Sequence, residues 1–180
     1  MIATELPLAW CAYLVWLSAG LGDFISHWRT DLPRTSGVAE STTHLVQLGV
    51  LGTAVLLVLA FETGKSIALL LFVLVIAHAI VGYVDTRIAF GRRRTILPIE
   101  QHLHSVLDMA PIVFFAWLMI SSRASITNGE WNIALRSPAL PVAVWLCVLL
   151  PAVVLCIVPA LVEFRAAWKA MRVDLPATQD

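Results

Sequence analysis

Acids and histidines recur in this chain at a spacing that suits metal binding. Glu100, His104 and Asp108 stand four residues apart, just where a long apolar run begins after Pro98. On an α-helix, three side chains with this spacing fall within about 80° of one another. The segment therefore predicts a helix that begins near Pro98 and presents a carboxylate, an imidazole and a second carboxylate on one face.

Three other segments repeat the combination. Each places an acid and a histidine near one end of an apolar run: Asp23 with His27, Glu40 with His44, and His78 with Asp85. The first two pairs are four residues apart and the third is seven apart, so the members of each pair share a helix face. Ionisable side chains at membrane depth are costly unless something pairs with them, and they mark functional sites. Four of the five histidines thus have an acid on their own helix face.

Imidazole and carboxylate ligands together suit iron, manganese or zinc. A helical bundle that projects both inward can hold two ions. We therefore predict two metal ions, with iron as the first choice and zinc or manganese as alternatives. The predicted ligands are Asp23, His27, Glu40, His44, His78, Glu100 and His104, and Asp85 and Asp108 are predicted as catalytic acids or bases.

Polar neighbours of these residues are candidates for orienting the ligands or contacting a substrate. They are Gln101, His102, Arg92, Arg93 and Arg94. His102 points about 160° away from His104 on a continuous helix, which leaves an outer-layer role or an interfacial position. The three arginines fit either a topology signal at an acidic lipid surface or recognition of an anionic headgroup.

The elements that must position these residues are membrane-spanning helices. The 180 residues are 59% hydrophobic and 13% charged, with a mean hydropathy of +0.86, which is too apolar for a soluble domain of this size. Net charge is zero and there is no basic block beyond the three arginines at 92–94, which argues against nucleic acid as a partner. We predict a single all-α transmembrane domain over 1–180. Its spans are approximately 6–22, 45–61, 66–84, 103–120 and 140–162, with a C-terminal tail at 164–180.

In this arrangement the first four spans form a bundle around the polar residues. The fifth span carries no ionisable residue before Glu163 and is interpreted as scaffold or subunit contact, with a distortion at Pro151. Nine of the twelve Lys and Arg residues fall on the side of the acid and histidine sets. This distribution predicts an outside N-terminus, a cytoplasmic C-terminus and a site near the cytoplasmic surface. The expected location is a bacterial inner membrane.

The predicted function is a membrane-embedded di-iron oxidoreductase that acts on a lipid-soluble substrate at the cytoplasmic leaflet. The chain shows no flavin, nicotinamide or iron–sulfur motif, so electrons would come from an external donor. One alternative is a zinc- or manganese-dependent hydrolase of a lipid ester or phosphoester. The stretch His104-Ser-Val-Leu-Asp108 resembles the HxxxD fragment of lipid-phosphate phosphatases, although that family's companion motifs are absent. Further alternatives are a haem-binding electron carrier and an ion or proton conductor.

Overall fold

The structure is a computed structural model that describes residues 5–174. This part of the chain is helical apart from short connections, and five of its helices are long and apolar enough to cross a membrane. The prediction of an all-α fold with five such helices is confirmed. In chain order the elements are α1 (Glu5–Arg29), a 3-10 turn (Leu32–Arg34), α2 (Gly37–Ala60), α3 (Lys65–Gly91), α4 (Pro98–Ser121), α5 (Arg123–Asn128), α6 (Val142–Ala152), a π-helical segment (Val153–Ile157) and α7 (Val158–Asp174).

The long helices extend past the predicted spans at one end of the bundle. The predicted loops at 23–44 and 85–102 shrink to 30–36 and 92–97, because α1, α2, α3 and α4 all continue into them. The acids and histidines at the ends of the apolar runs are buried against one another. Because they pair with one another, the helices that carry them can continue beyond the predicted spans. We call this end, where α1 and α3 end and α2 and α4 begin, the site end. Of the predicted tail, α7 takes up residues as far as Asp174, and 175–180 lie outside the described residues.

The helices pack in pairs. α1 lies along α4, and α2 lies along both α3 and α7. Tyr13, Leu17 and Cys156 form a buried apolar cluster near the middle of the bundle. The Tyr13 hydroxyl donates a hydrogen bond to the Val148 carbonyl oxygen at 2.8 Å, which joins α1 to α6. The outward face of α3 exposes large apolar side chains, among them Phe72 and Ile80, as expected of a lipid-facing helix.

A π-helical segment divides the fifth long helix. It lies between Pro151 and Pro159, two residues that lack the N–H needed for regular α-helical hydrogen bonding. The distortion predicted at Pro151 is therefore present. Beyond it, Glu163 lies on the inner face of α7. Its side chain there is completely buried.

The opposite end of the bundle is closed by the connection between α5 and α6. Arg136 Nη2 donates hydrogen bonds to the carbonyl oxygens of Val58 at 2.9 Å and Phe61 at 3.2 Å. These carbonyls lie at the C-terminal end of α2, where the last carbonyl groups have no N–H donor within the helix. The guanidinium therefore satisfies the end of α2 and fixes the connection to the bundle.

Candidate metal centre

Side chains from all five long helices meet at the site end. The group comprises Asp23 and His27 of α1, Glu40 and His44 of α2, Asp85 of α3, Glu100 and His104 of α4, Glu163 of α7, and Arg94 from the connection between α3 and α4. All are buried except His104, whose side chain is 18% exposed. The sequence prediction confined the site to the first four spans, and the structure adds the fifth.

Glu163 joins two buried histidines. Its Oε2 lies 2.8 Å from His27 Nδ1, and its Oε1 lies 2.7 Å from His44 Nδ1. The two imidazole rings stack with centroids 4.7 Å apart and planes 7° apart. An ionised carboxylate can only accept hydrogen bonds, so each Nδ1 carries the proton that it shares with Glu163. One carboxylate thereby sets both the tautomer and the orientation of two histidines.

The opposite ring nitrogens are directed at other carboxylates. His27 Nε2 lies 3.3 Å from Asp23 Oδ2 and 3.5 Å from Glu100 Oε1, and His44 Nε2 lies 3.2 Å from Asp85 Oδ1. Among residues 5–174 neither buried Nε2 has a hydrogen-bond partner. With the proton on Nδ1, each Nε2 presents a lone pair to a carboxylate that also presents lone pairs. Such a contact is favourable only if a positive charge lies there, supplied either by a metal ion or by a second proton on the ring.

This geometry fits a metal site. Histidines that ligate a metal almost always donate their other ring N–H to a carboxylate, a carbonyl or water. One set of four residues offers ligand atoms within 4.8 Å of one another: Asp23, His27, Glu100 and His104. A second set meeting the same limit comprises His27, Glu40 and His44. His27 belongs to both sets, so they are adjacent parts of one cluster that can hold a metal ion.

The end of α3 directs Arg94 into this cluster. Arg93 has a left-handed conformation with φ of 54°, and the Arg94 N–H bonds back to the Ala89 carbonyl oxygen at 3.1 Å. The Arg93 N–H bonds to the Phe90 carbonyl oxygen at 3.0 Å. These two bonds form a Schellman motif, which turns the chain back over the helix end. Arg94 therefore points inward, whereas Arg92 and Arg93 are exposed.

Arg94 compensates two of the buried carboxylates. Its Nε donates to Glu40 Oε2 at 3.0 Å and its Nη2 to Glu40 Oε1 at 2.6 Å, and Nη2 also contacts Glu100 Oε1. Burial alone would lower the pKa of the guanidinium, but its hydrogen bonds with Glu100 and Glu40 raise that pKa above the ordinary value. Arg94 therefore stays charged and holds both carboxylates in place behind the histidines.

Asp85 connects the cluster with α2. The Thr43 hydroxyl lies within hydrogen-bonding distance of Asp85 Oδ1 and, at 2.6 Å, of the Glu40 carbonyl oxygen. Because the same Asp85 oxygen lies against His44 Nε2, its position suits a metal ligand as well as the catalytic role predicted from sequence. A hydrogen bond from a hydroxyl orients a ligating carboxylate in the same way that Glu163 orients imidazoles.

A cavity of about 380 Å³ opens from the cluster into the bundle. Its site end is lined by four cluster residues: Asp23, His44, Asp85 and His104. Its far end is lined by Tyr13, Trp16, Val55 and Leu149 and is largely apolar. Tyr13 and Asp23 are ten residues apart on α1, or about 15 Å along the helix axis. The cluster is thus the polar end of an apolar cavity large enough for one small ligand.

Two predicted residues line the cavity without belonging to the cluster. His78 is only 3% exposed and Asp108 is more exposed, and both line the cavity wall. Neither belongs to the two ligand sets found within residues 5–174. His102 and Gln101 are exposed on the outer face of α4. The sequence left His102 either an outer-layer role beside the ligands or an interfacial position, and its exposed side chain lies away from the ligands.

Glu163 was missed by sequence reasoning. The fifth span was interpreted as scaffold because its only ionisable residue comes at the end of a long apolar run. A signal was nevertheless present, since that end lies at the same predicted depth as the other acid and histidine sets. A further signal was its spacing, because Glu163 stands seven residues after the buried Cys156 and so shares a helix face with it.

No family model matches this chain, and no curated protein or solved structure is significantly similar to it. The functional interpretation therefore depends on the geometry of the cluster and its cavity.

Proposed function

We propose that this protein is a membrane-embedded di-metal oxidoreductase that binds iron and acts on a lipid-soluble substrate. One observation carries the proposal. Glu163 occupies the Nδ1 atoms of His27 and His44, and the freed Nε2 atoms face carboxylates at the polar end of an apolar cavity.

The buried charges support two ions over one. Five carboxylates of the cluster are buried, namely Asp23, Glu40, Asp85, Glu100 and Glu163, against one buried guanidinium, Arg94. Five negative charges less one positive charge leave four, which two divalent cations neutralise. Uncompensated charges in an apolar interior are strongly destabilising. Protonation of all three cluster histidines would still leave one negative charge.

The two adjacent ligand sets and the contact between His44 and Asp85 suggest how the ions are shared. Asp23, Glu100 and His104 would hold one ion with His27. His44 and Glu40 of the second set would hold the other, together with Asp85, whose Oδ1 lies 3.2 Å from His44 Nε2. Mixed imidazole and carboxylate ligation within a helical bundle is the ligand chemistry of di-iron carboxylate proteins. Bound iron would supply oxygen activation, with electrons from an external donor.

The residues of the chain have three tasks in this proposal. Glu163 orients the imidazoles, and Arg94 compensates carboxylates that would otherwise repel one another. The apolar cavity wall excludes water and aligns a hydrophobic substrate with the cluster. The distribution of Lys and Arg supports a site at the cytoplasmic leaflet, with the N-terminus outside and the protein in an inner membrane.

Metal analysis with an optical spectrum tests the proposal. The full chain is purified in mild detergent, and its metal content and absorbance are compared with those of His104→Ala and His102→Ala. We expect about two irons per wild-type chain without a haem band, loss of iron in His104→Ala, and retention of iron in His102→Ala. A folded wild-type protein without metal would refute the proposal, because the cluster would then be an ion-paired structural network.

A metal-dependent hydrolase is the second candidate. Asp108 lines the cavity next to the cluster and is accessible there, as a base that activates water must be. Zinc or manganese in the purified protein, in place of iron, would favour this reaction over oxidation.

A further inference from the structure

A second polar group lies deeper in the cavity than the metal cluster. It consists of Gln47, His78 and Asp108, which we call the deep polar set. Gln47 is three residues beyond His44, or about 4.5 Å along its helix. Asp108 is four residues beyond His104, or about 6 Å along α4. His78 is seven residues from Asp85, or about 10.5 Å along α3. The deep polar set therefore lies one to two helical turns from the cluster, between the cluster and the apolar end of the cavity.

Gly82 allows these side chains to converge. A Cβ atom at Gly82 would lie 2.9 Å from Asp108 Oδ1 and 3.2 Å from Gln47 Nε2. Both polar groups therefore lie against the turn of α3 at Gly82, where no side chain is present. His78 is four residues earlier on α3, on the same helix face, and also lines the cavity. Polar groups in an apolar cavity are costly unless they form hydrogen bonds. Their convergence is accounted for by a ligand that carries a polar group.

The charges around the cavity restrict that ligand. Within residues 5–174 no Lys or Arg lines the cavity. Arg94, the arginine of the cluster, is bonded to Glu40 and Glu100 and is not part of the cavity wall. The acids that do line it, Asp85 and Asp108 among them, disfavour an anionic headgroup. A neutral hydroxyl can donate to or accept from the deep polar set, and a neutral carbonyl can accept from Gln47 or His78, without this repulsion.

The size and lining of the rest of the cavity define the remainder of the ligand. A volume of about 380 Å³ is near the lower end of the range for small-molecule sites, which suits a single chain better than a two-chain lipid. Trp16, Leu51, Val55 and Leu149 line the part away from the cluster and suit an alkyl tail. The cavity is thus polar at one end and apolar at the other, which complements a ligand with one polar group and one apolar chain.

We propose that the cavity binds one single-chain amphiphile with a neutral hydroxyl or carbonyl group. The polar group is held by Gln47, His78 and Asp108, and the tail extends toward Tyr13. This orientation presents the carbons next to the polar group, and not the far end of the tail, to the cluster. Only the oxidation of those carbons rests on the proposed function. Binding of the amphiphile itself requires no metal.

Photoaffinity labelling tests the orientation. The full chain in phosphatidylcholine nanodiscs is labelled with two derivatives of dodecan-1-ol, one with a diazirine at the tail end and one with a diazirine beside the hydroxyl. We expect the tail probe to label the regions of Trp16 and Val55, and the head probe to label those of Gln47 and Asp108. Labelling in the reverse order, or confined to the outer lipid-facing surface, would overturn the proposal.

Competition with unlabelled ligands tests the polar group. Dodecan-1-ol should displace the head probe at a concentration about tenfold lower than dodecane or dodecanoate, the difference expected for one hydrogen bond to a charged group. Gln47→Leu should weaken displacement by dodecan-1-ol about tenfold, whereas Gln101→Leu, the same substitution on the exposed face of α4, should leave it unchanged. Equal competition by all three compounds would overturn the proposed recognition.

The same labelling in His104→Ala separates the two proposals. If the metal-depleted variant keeps the head and tail pattern, the amphiphile site stands regardless of which metal, if any, the wild type contains. If wild-type protein contains iron but labels only on its outer surface, the amphiphile site fails and the metal proposal stands.

Discussion

Replacement of Glu163 by glutamine is the perturbation that discriminates most sharply between a metal site and an ion-paired network. The Glu163 carboxylate accepts from His27 Nδ1 at 2.8 Å and from His44 Nδ1 at 2.7 Å. A glutamine amide offers one acceptor oxygen and one NH₂ donor. One of the two histidines would then face a donor, and its proton would move to Nε2, where the metal is expected to bind.

The expected effect is a weaker metal site in a folded protein. Loss of an outer-shell partner typically costs 10- to 100-fold in metal affinity or activity, or about 1.4 to 2.7 kcal/mol. Affinity is measured by competition with a chelator of known strength. Glu130→Gln is the matched control, because Glu130 is an exposed acid away from the cluster. This variant should bind metal like the wild type.

The result that refutes the reasoning is specific. If Glu163→Gln folds and binds metal with unchanged affinity, Glu163 does not set the histidine tautomers. Glu163→Asp supplies a second check, since it keeps the charge but is one methylene too short to reach both rings at their present positions. An affinity for metal between those of wild type and Glu163→Gln is expected for it.

Three further predictions follow from the residues around the cluster. Arg94→Gln should lower the free energy of unfolding by about 3 to 5 kcal/mol, because it leaves Glu40 and Glu100 buried without their counter-ion. Arg92 is exposed, so Arg92→Gln should change the free energy of unfolding by less than about 0.5 kcal/mol. Both values are measured by denaturant titration. A loss in Arg94→Gln no larger than that in Arg92→Gln would contradict the ion pairing. Arg93→Gly should raise the unfolding free energy by about 1 kcal/mol, since glycine adopts the observed φ of 54° without strain, and a decrease would show that the Arg93 side chain has another role. His104→Ala should abolish both metal content and lipid turnover while His102→Ala retains both, and equal behaviour of the two variants would exclude His104 as a ligand.

The helices and most of the cluster are predictable from the sequence for physical reasons. Long apolar runs fix the five helices, because about 20 residues are needed to cross a bilayer. The i, i+4 spacing of Asp23 with His27 and of Glu40 with His44 fixes a shared face on each helix, whatever the packing. Short connections between antiparallel helices then bring these faces to the same end.

Tertiary packing determines what sequence spacing could not. Helical periodicity places His78 and Asp108 on inward faces but does not fix which side chains of other helices they meet, and the structure puts both in the cavity wall instead of the cluster. Glu163 enters from a helix whose apolar run carries no other acid or histidine, so no pair on its own helix marks it as part of the cluster. Arg94 enters because a left-handed Arg93 turns the chain back, a conformation for which glycine is the usual signal.

The most direct test of the metal centre is anomalous diffraction at the iron edge from crystals of the full chain grown with ferrous iron. The account predicts two peaks at the cluster, one in contact with Nε2 of His27 and of His104 and one in contact with Nε2 of His44, with Nδ1 of His27 and His44 still bonded to Glu163. Crystals that diffract well but show no peak at this cluster, with each Nε2 hydrogen-bonded directly to a carboxylate, would contradict it.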